Sequence, residues 1–270
     1  MRAEPIRAEP ISAEPGKDGS RHDESAAQGL TVSVLGPLVI GGIAGPMQPK
    51  QAELVLALAL AAPGSLSNSA LCAMLGADPD HPKPADAVRQ IIARTRRRLG
   101  PASDGDEYIV HTGGGRYLLH PEASLDWSRF RASVAAGKAD DLRTALALVR
   151  GEPFSDSYFW WIDIPLIENV RAEVVDAAER LAEIELALGS PRSAARAARA
   201  GLLAESSAEQ LWRAVMRAEH AAGNLAGVTE AWRRCLEAIE DVAPAGEPHP
   251  DTAALYRQLA GVAREPAAVP

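Results

Sequence analysis

Five arginines and a glutamine crowd one stretch of this 270-residue sequence, KPADAVRQIIARTRRRLG, and their chemistry is contact with negative charge. Arg89, Gln90, Arg94, Arg96, Arg97 and Arg98 are the polar members. Arginine and glutamine are side chains that pair bidentately with guanine or adenine edges, and arginine also meets phosphate. Val88, Ile91, Ile92 and Leu99, with Thr95 between, recur at three- and four-residue spacing, which predicts an amphipathic helix over Asp86–Leu99. Five Arg against one Asp give that helix a charge of +4. Arg89, Gln90, Arg94 and Arg97 are best placed to enter a groove. Arg98 lies close to the apolar side, where a long side chain lays its stem along the core and keeps its head in water.

The next element must position that helix. EYIVHTGGGRYLL predicts two short strands, Tyr108–Thr112 and Arg116–Leu119, joined at Gly113-Gly114-Gly115. A basic helix followed by a Gly-turned hairpin is how a winged helix sets one helix in the major groove of double-stranded DNA and a wing beside the backbone. Arg116, at the wing, is placed to meet a phosphate. The competing reading of the arginines is a solvated face paired with acidic neighbours. The glycines do not form a nucleotide cradle, because they do not open a helix and no Gly-Lys-Ser/Thr follows.

Other chemistries find little support. His111 and His120 flank the wing without cysteines or carboxylates at ligand spacing, so no metal site is expected. There is no Gly-x-Ser-x-Gly motif, Cys–His pair or distinctive carboxylate pair, so neither enzyme activity nor a cofactor is expected. Cys72 and Cys235 are the only cysteines, which suits a reducing cytoplasm. The N-terminus has no apolar signal core, and the longest apolar run, Leu54 to Ala62, is too short to span a bilayer. The expected setting is cytoplasmic, without membrane insertion.

The net charge of −8 argues against nucleic acid until its distribution is considered. Residues 122–261 hold 15 basic and 22 acidic side chains, a net of −7, so the basic helix is a local feature of an acidic chain.

Residues 1–30 begin with the repeat RAEPI-RAEPI-SAEPG and are expected to be a disordered tail. Thr31–Leu35 and Leu38–Ile40 predict strands broken at Gly36-Pro37. Lys50–Ala62 predicts a buried helix ended by Pro63-Gly64, and Ser69–Leu75 a short helix that Ser67 or Asn68 can cap. From Asp126 onward the chain looks nearly all helical. Gly189 and Gly223 are 34 residues apart. At the same offset Ala194 matches Val228, Ala198 Trp232, Gly201 Cys235, Ala178 Trp212 and Leu181 Val215. That period is the tetratricopeptide helix-turn-helix pattern, with Asp140–Arg150 as a degenerate earlier helix. Trp160-Trp161, in SDSYFWWIDIP, suits packing between domains, with a partner pocket as the alternative.

In order and spacing, VSVLGPLVI, PKQAELVLALAL, AVRQIIARTRRRLG, HTGGGRYLL, LDWSRF and ALALVRGEPF resemble the actinobacterial antibiotic regulatory family of transcription factors. The resemblance covers residues 31 to about 262. It implies a mainly α protein: an OmpR-type winged helix-turn-helix with short β hairpins at 31–121, then a tetratricopeptide-like bacterial transcriptional activator domain at 122–262, and a tail at 263–270. It places the family's recognition-helix basic positions on Arg94, Arg96 and Arg97, its wing glycines on Gly114 and Gly115, and its wing aromatic on Tyr117. The chain departs from the family at Ala52-Glu53, where an Arg is usual, and at Met74-Leu75-Gly76, where a Trp is usual. The second departure lies beside the loop through which OmpR-type proteins meet RNA polymerase.

The leading expectation is a sequence-specific DNA-binding transcriptional regulator, an activator by family, whose helical repeats serve self-association as a homodimer or partner contact. The alternative is a protein–protein interaction scaffold whose winged helix has lost DNA binding.

Overall fold

The computed structural model describes residues 29–76, 84–157 and 159–261, so the expected tails fall almost wholly outside the described residues. The chain opens with strands β1 (Thr31–Ser33) and β2 (Val39–Gly41), then helix α1 (Pro49–Ala61). A two-residue strand β3 (Leu66–Ser67) leads into α2 (Asn68–Met74), and α3 follows at Pro84–Leu99. Strands β4 (Ile109–His111) and β5 (Arg116–Leu119) form the hairpin, and β6 (Ser124–Leu125) leads into α4 (Asp126–Ala136). The remainder is helical: α5 (Ala139–Leu146), α6 (Ile164–Ala187), α7 (Pro191–Leu202), α8 (Glu209–Ala221), α9 (Leu225–Val242) and α10 (Pro250–Leu259). The protein is mainly α, a winged helix followed by stacked helix pairs.

The strands make two small sheets. In one, β1 lies between antiparallel β2, with Val32 opposite Ile40, and parallel β6, with Val32 opposite Leu125. In the other, β5 lies between β3, with Leu66 opposite Tyr117, and β4, with Val110 opposite Leu118. Strands β3 and β6 have no counterpart in the sequence reading, because two residues are too few to show a period.

The first strand is shorter than the predicted Thr31–Leu35, and the cause is tertiary. The amides of Val34 and Leu35 donate to the Asp126 carboxylate, Val34 at 2.8 and 2.9 Å and Leu35 at 3.1 Å. Their carbonyls accept from Phe154 N at 2.8 Å and Arg150 N at 2.7 Å. These backbone groups leave the sheet ladder for partners far along the chain. Asp126 is buried, and burial pushes its carboxyl above the ordinary value against the pull of the two amides.

The same contacts cross the expected division at 121/122. Strand β6 completes the first sheet, α4 packs on β1, and one apolar core runs from Leu30 through Phe130 and Leu146 to the helical repeats.

The repeat pattern corresponds to antiparallel neighbours α6–α7 and α8–α9, with α10 against α8 and α9. Gly189 and Gly223 stand at the turns with φ of +69° and +73°, values that favour glycine. Gly201 serves close approach instead. A Cβ there would lie 2.5 Å from Ala178 Cβ and 2.6 Å from Leu211 Cδ1. Cys235, its partner at the 34-residue offset, is a packing group, and burial pushes its thiol up to about 12. Trp232 stacks on Tyr256 of α10 with centroids 4.8 Å apart.

Candidate nucleic-acid interface

Helix α3 turns Val88, Ile92, Thr95 and Leu99 inward, with Ile91 half-buried. Thr95 satisfies its own buried hydroxyl by donating to Ile91 O at 2.8 Å, so the inward stripe holds no orphaned polar group. Arg89, Gln90, Ala93, Arg94, Arg97 and Arg98 are exposed. At 3.6 residues per turn, Arg89, Gln90, Arg94 and Arg97 fall on one side of the helix. Arg89 is ion-paired to Asp86, one turn earlier. Arg97 donates weakly to Ala93 O at 3.4 Å, and Arg94 makes no hydrogen bond or ion pair among the described residues. Arg98 donates to Pro46 O at 2.9 Å, consistent with its place near the apolar side.

Arg96 is placed differently from the other arginines of α3. Its side chain is 24% exposed and turns into the wing. Nε and Nη2 donate to Ile109 O at 2.9 and 2.7 Å, Nε lies 2.9 Å from the Glu107 carboxylate, and the guanidinium sits 6.0 Å from the centre of the Tyr117 ring. The planar fork bridges α3 to both strands of the hairpin and is spent on positioning. Arg116 is also engaged within the fold. It donates to Ser65 Oγ at 2.8 Å and to Ser65 O, which ties β5 to the residue before β3. Of the six residues expected to touch a polyanion, four are displayed together on α3 and two brace the wing. Glu107 and Ser65, the anchoring partners, carry no sequence signal because each is an ordinary loop polar residue.

The wing itself is tightly closed. Thr112 N donates to Arg116 O at 3.0 Å and Arg116 N to Gly113 O at 3.1 Å. Gly113, Gly114 and Gly115 all have positive φ, from +57° to +87°. Asn68 N donates to Gly115 O at 2.8 Å, which joins the wing root to the start of α2. There Ser67 Oγ caps the helix by accepting from Ala70 N at 3.1 Å.

The aromatic pair locks the winged helix to the helical part. Trp161 Nε1 donates to Glu53 Oε1 at 3.0 Å, and Lys50 Nζ holds the other oxygen of that buried carboxylate at 2.7 Å. The acidic residue at the family's usual Arg position is thus an internal anchor. Trp160 Nε1 donates to Met74 O at 3.1 Å while its ring stays 71% exposed.

Asp104, Asp106 and His120 bring ligand atoms within 4.8 Å of one another, a trio that spacing in sequence did not reveal. His120 Nδ1 accepts from Glu122 N at 3.3 Å, which leaves the imidazole proton on Nε2, 3.1 Å from Asp104. The ring therefore offers Asp104 a donor and not a lone pair.

A family model described as the bacterial transcriptional activator domain matches residues 125–260, half of the chain. No curated protein matches the chain. A solved structure of Mycobacterium tuberculosis EmbR, in complex with a low-affinity phosphopeptide, superposes with a TM-score of 0.61 at 23% identity. The match covers 85% of this chain and 64% of that one, so the present chain spans under two thirds of that structure's length, and the likeness is one of fold. With that match lying behind a winged helix, the chain belongs to the bacterial transcriptional activator domain family.

Proposed function

We propose that this protein is a transcriptional regulator of the antibiotic regulatory type that binds double-stranded DNA sequence-specifically through α3. Arg89, Gln90, Arg94 and Arg97 face the major groove and the Gly113–Gly115 wing lies beside the backbone. The observation that carries this reading is the display of those four side chains on one exposed face, beside a wing braced by Arg96 and Arg116. Arg116 retains an exposed edge for a phosphate. The helical domain serves self-association or contact with RNA polymerase, and the setting is the cytoplasm.

A gel-shift of the full chain with genomic fragments, at low and moderate salt, tests the reading. Arg94→Ala or Arg97→Ala weakens a preferred fragment by about 1–3 kcal/mol where the side chain meets a base, and weakens all fragments alike where it meets phosphate. Unchanged binding in the double variant, with its circular dichroism intact, overturns the assignment and favours the interaction-module alternative.

A further inference from the structure

Two charged stripes on the helical domain have no role in the reading so far. On α7, Arg192, Arg196 and Arg199 are exposed, and the helix contains no acidic residue. On α6, Asp176 and Glu183 are exposed and Glu179 is half-buried. At 3.6 residues per turn each set falls within about 60° of its helix surface. Each is opposite its helix's buried side, formed by Ala194, Ala198 and Gly201 on α7 and by Val174, Ala178 and Leu181 on α6. Among the described residues, Arg192, Arg196, Asp176, Glu179 and Glu183 form no ion pair, and Arg199 pairs with Glu219. Arg180, which follows Glu179 in the sequence, points its head at Gly137 O, 3.3 Å away.

The spacings match when one stripe is read backwards. Asp176, Glu179 and Glu183 step by three and then four residues, and so do Arg199, Arg196 and Arg192. Laid antiparallel, the stripes pair Asp176 with Arg199, Glu179 with Arg196 and Glu183 with Arg192 along about 10 Å of helix.

We propose that the α7 arginine stripe of one copy docks antiparallel on the α6 acidic stripe of a second copy. This deepens the self-association part of the function proposed above and names its surface. Within one chain α6 and α7 pack through their buried sides, so the two stripes point away from each other. A single two-fold contact therefore cannot use both, and the association is head-to-tail, with an arginine stripe free at one end and an acidic stripe at the other. Three pairs at the surface make a weak contact, suited to holding neighbours that another interaction has already gathered.

Disulfide trapping of the full chain tests the register. In a Cys72→Ser background, one chain carries Glu179→Cys and another Arg196→Cys, mixed at about 25 mM and about 300 mM salt, concentrations that screen exposed charges to different depths. The mixed pair is expected to cross-link about tenfold faster than either variant with itself at low salt, and the advantage is expected to vanish at high salt. Equal rates for mixed and self pairs overturn the proposal. A second arm measures binding to a mixed-sequence duplex. If Arg192→Glu/Arg196→Glu/Arg199→Glu weakens it as strongly as Arg94→Ala/Arg97→Ala while trapping shows no mixed-pair advantage, the stripe contacts DNA and the proposal fails. If only the Arg94→Ala/Arg97→Ala variant loses duplex binding and trapping behaves as expected, both readings stand. If that variant binds duplex unchanged while trapping keeps its mixed-pair advantage, the DNA reading fails and the docking surface stands.

Discussion

Arg94, Arg96 and Arg97 show how neighbouring residues of one type divide into different tasks. Each residue rotates the helix by about 100°, so Arg96 meets Ile109 O, Glu107 and the Tyr117 ring while Arg94 and Arg97 meet solvent. Removing Arg96 therefore acts on the fold before it acts on DNA. Arg96→Ala, which strips a charged donor from a largely enclosed carbonyl, costs about 2 kcal/mol of unfolding free energy. Arg96→Lys restores only part, because an ammonium cannot reproduce the two-pronged contact. Arg94→Ala leaves stability within about 0.5 kcal/mol of the parent. Urea denaturation of the three variants checks this, and equal midpoints for Arg96→Ala and Arg94→Ala contradict the division of labour.

At the scale of elements, the 34-residue period was legible because each repeat places small and apolar residues where two helices meet. The period does not distinguish a glycine needed for its backbone from one needed for its missing side chain. Gly223 has positive φ with open space around it, so Gly223→Ala carries only backbone strain, about 1 kcal/mol. Gly201 lacks that conformational demand, yet Ala178 Cβ and Leu211 Cδ1 occupy the room a methyl would need. Gly201→Ala thus separates α7 from α6 and α8, at a cost of about 1–3 kcal/mol, and Gly201→Val costs more. Thermal unfolding that ranks Gly223→Ala as the more damaging alanine variant contradicts this account.

At the scale of the whole molecule, the winged helix and the helical domain share contacts across residue 121. The carboxylate of Asp126 and the backbone of Arg150 and Phe154 supply the partners that Val34 and Leu35 need, and β6 covers one edge of β1. Trp161 reaches back to Glu53 in α1. A fragment of residues 29–121 leaves those backbone groups unpaired and an edge strand open, which costs stability and invites association. A fragment of residues 29–162 keeps these contacts. The longer fragment is expected to melt cooperatively by circular dichroism and the shorter one to lack a transition. Equal melting of the two contradicts the shared core.

The sequence by itself determined what local patterning encodes. It specified the amphipathic α3 with its basic face, the Gly-turned wing, the buried α1 and the paired helices with their period. Side-chain spacing, chain reversal and helix propensity act over a few residues, so they are written in order along the chain. It did not determine where β1 ends, that β6 joins the first sheet, that Arg96 and Arg116 brace the wing, or that Glu53 anchors Trp161. Each of those depends on a partner brought from a distance: 92 residues for Val34 and Asp126, 108 for Glu53 and Trp161, 51 for Ser65 and Arg116. A backbone amide, a guanidinium or a carboxylate can be satisfied by many partners, and the sequence alone ranks none of them. Only the packed core decides which polar group arrives beside which, because burial makes an unpaired group costly and leaves one arrangement that pairs them.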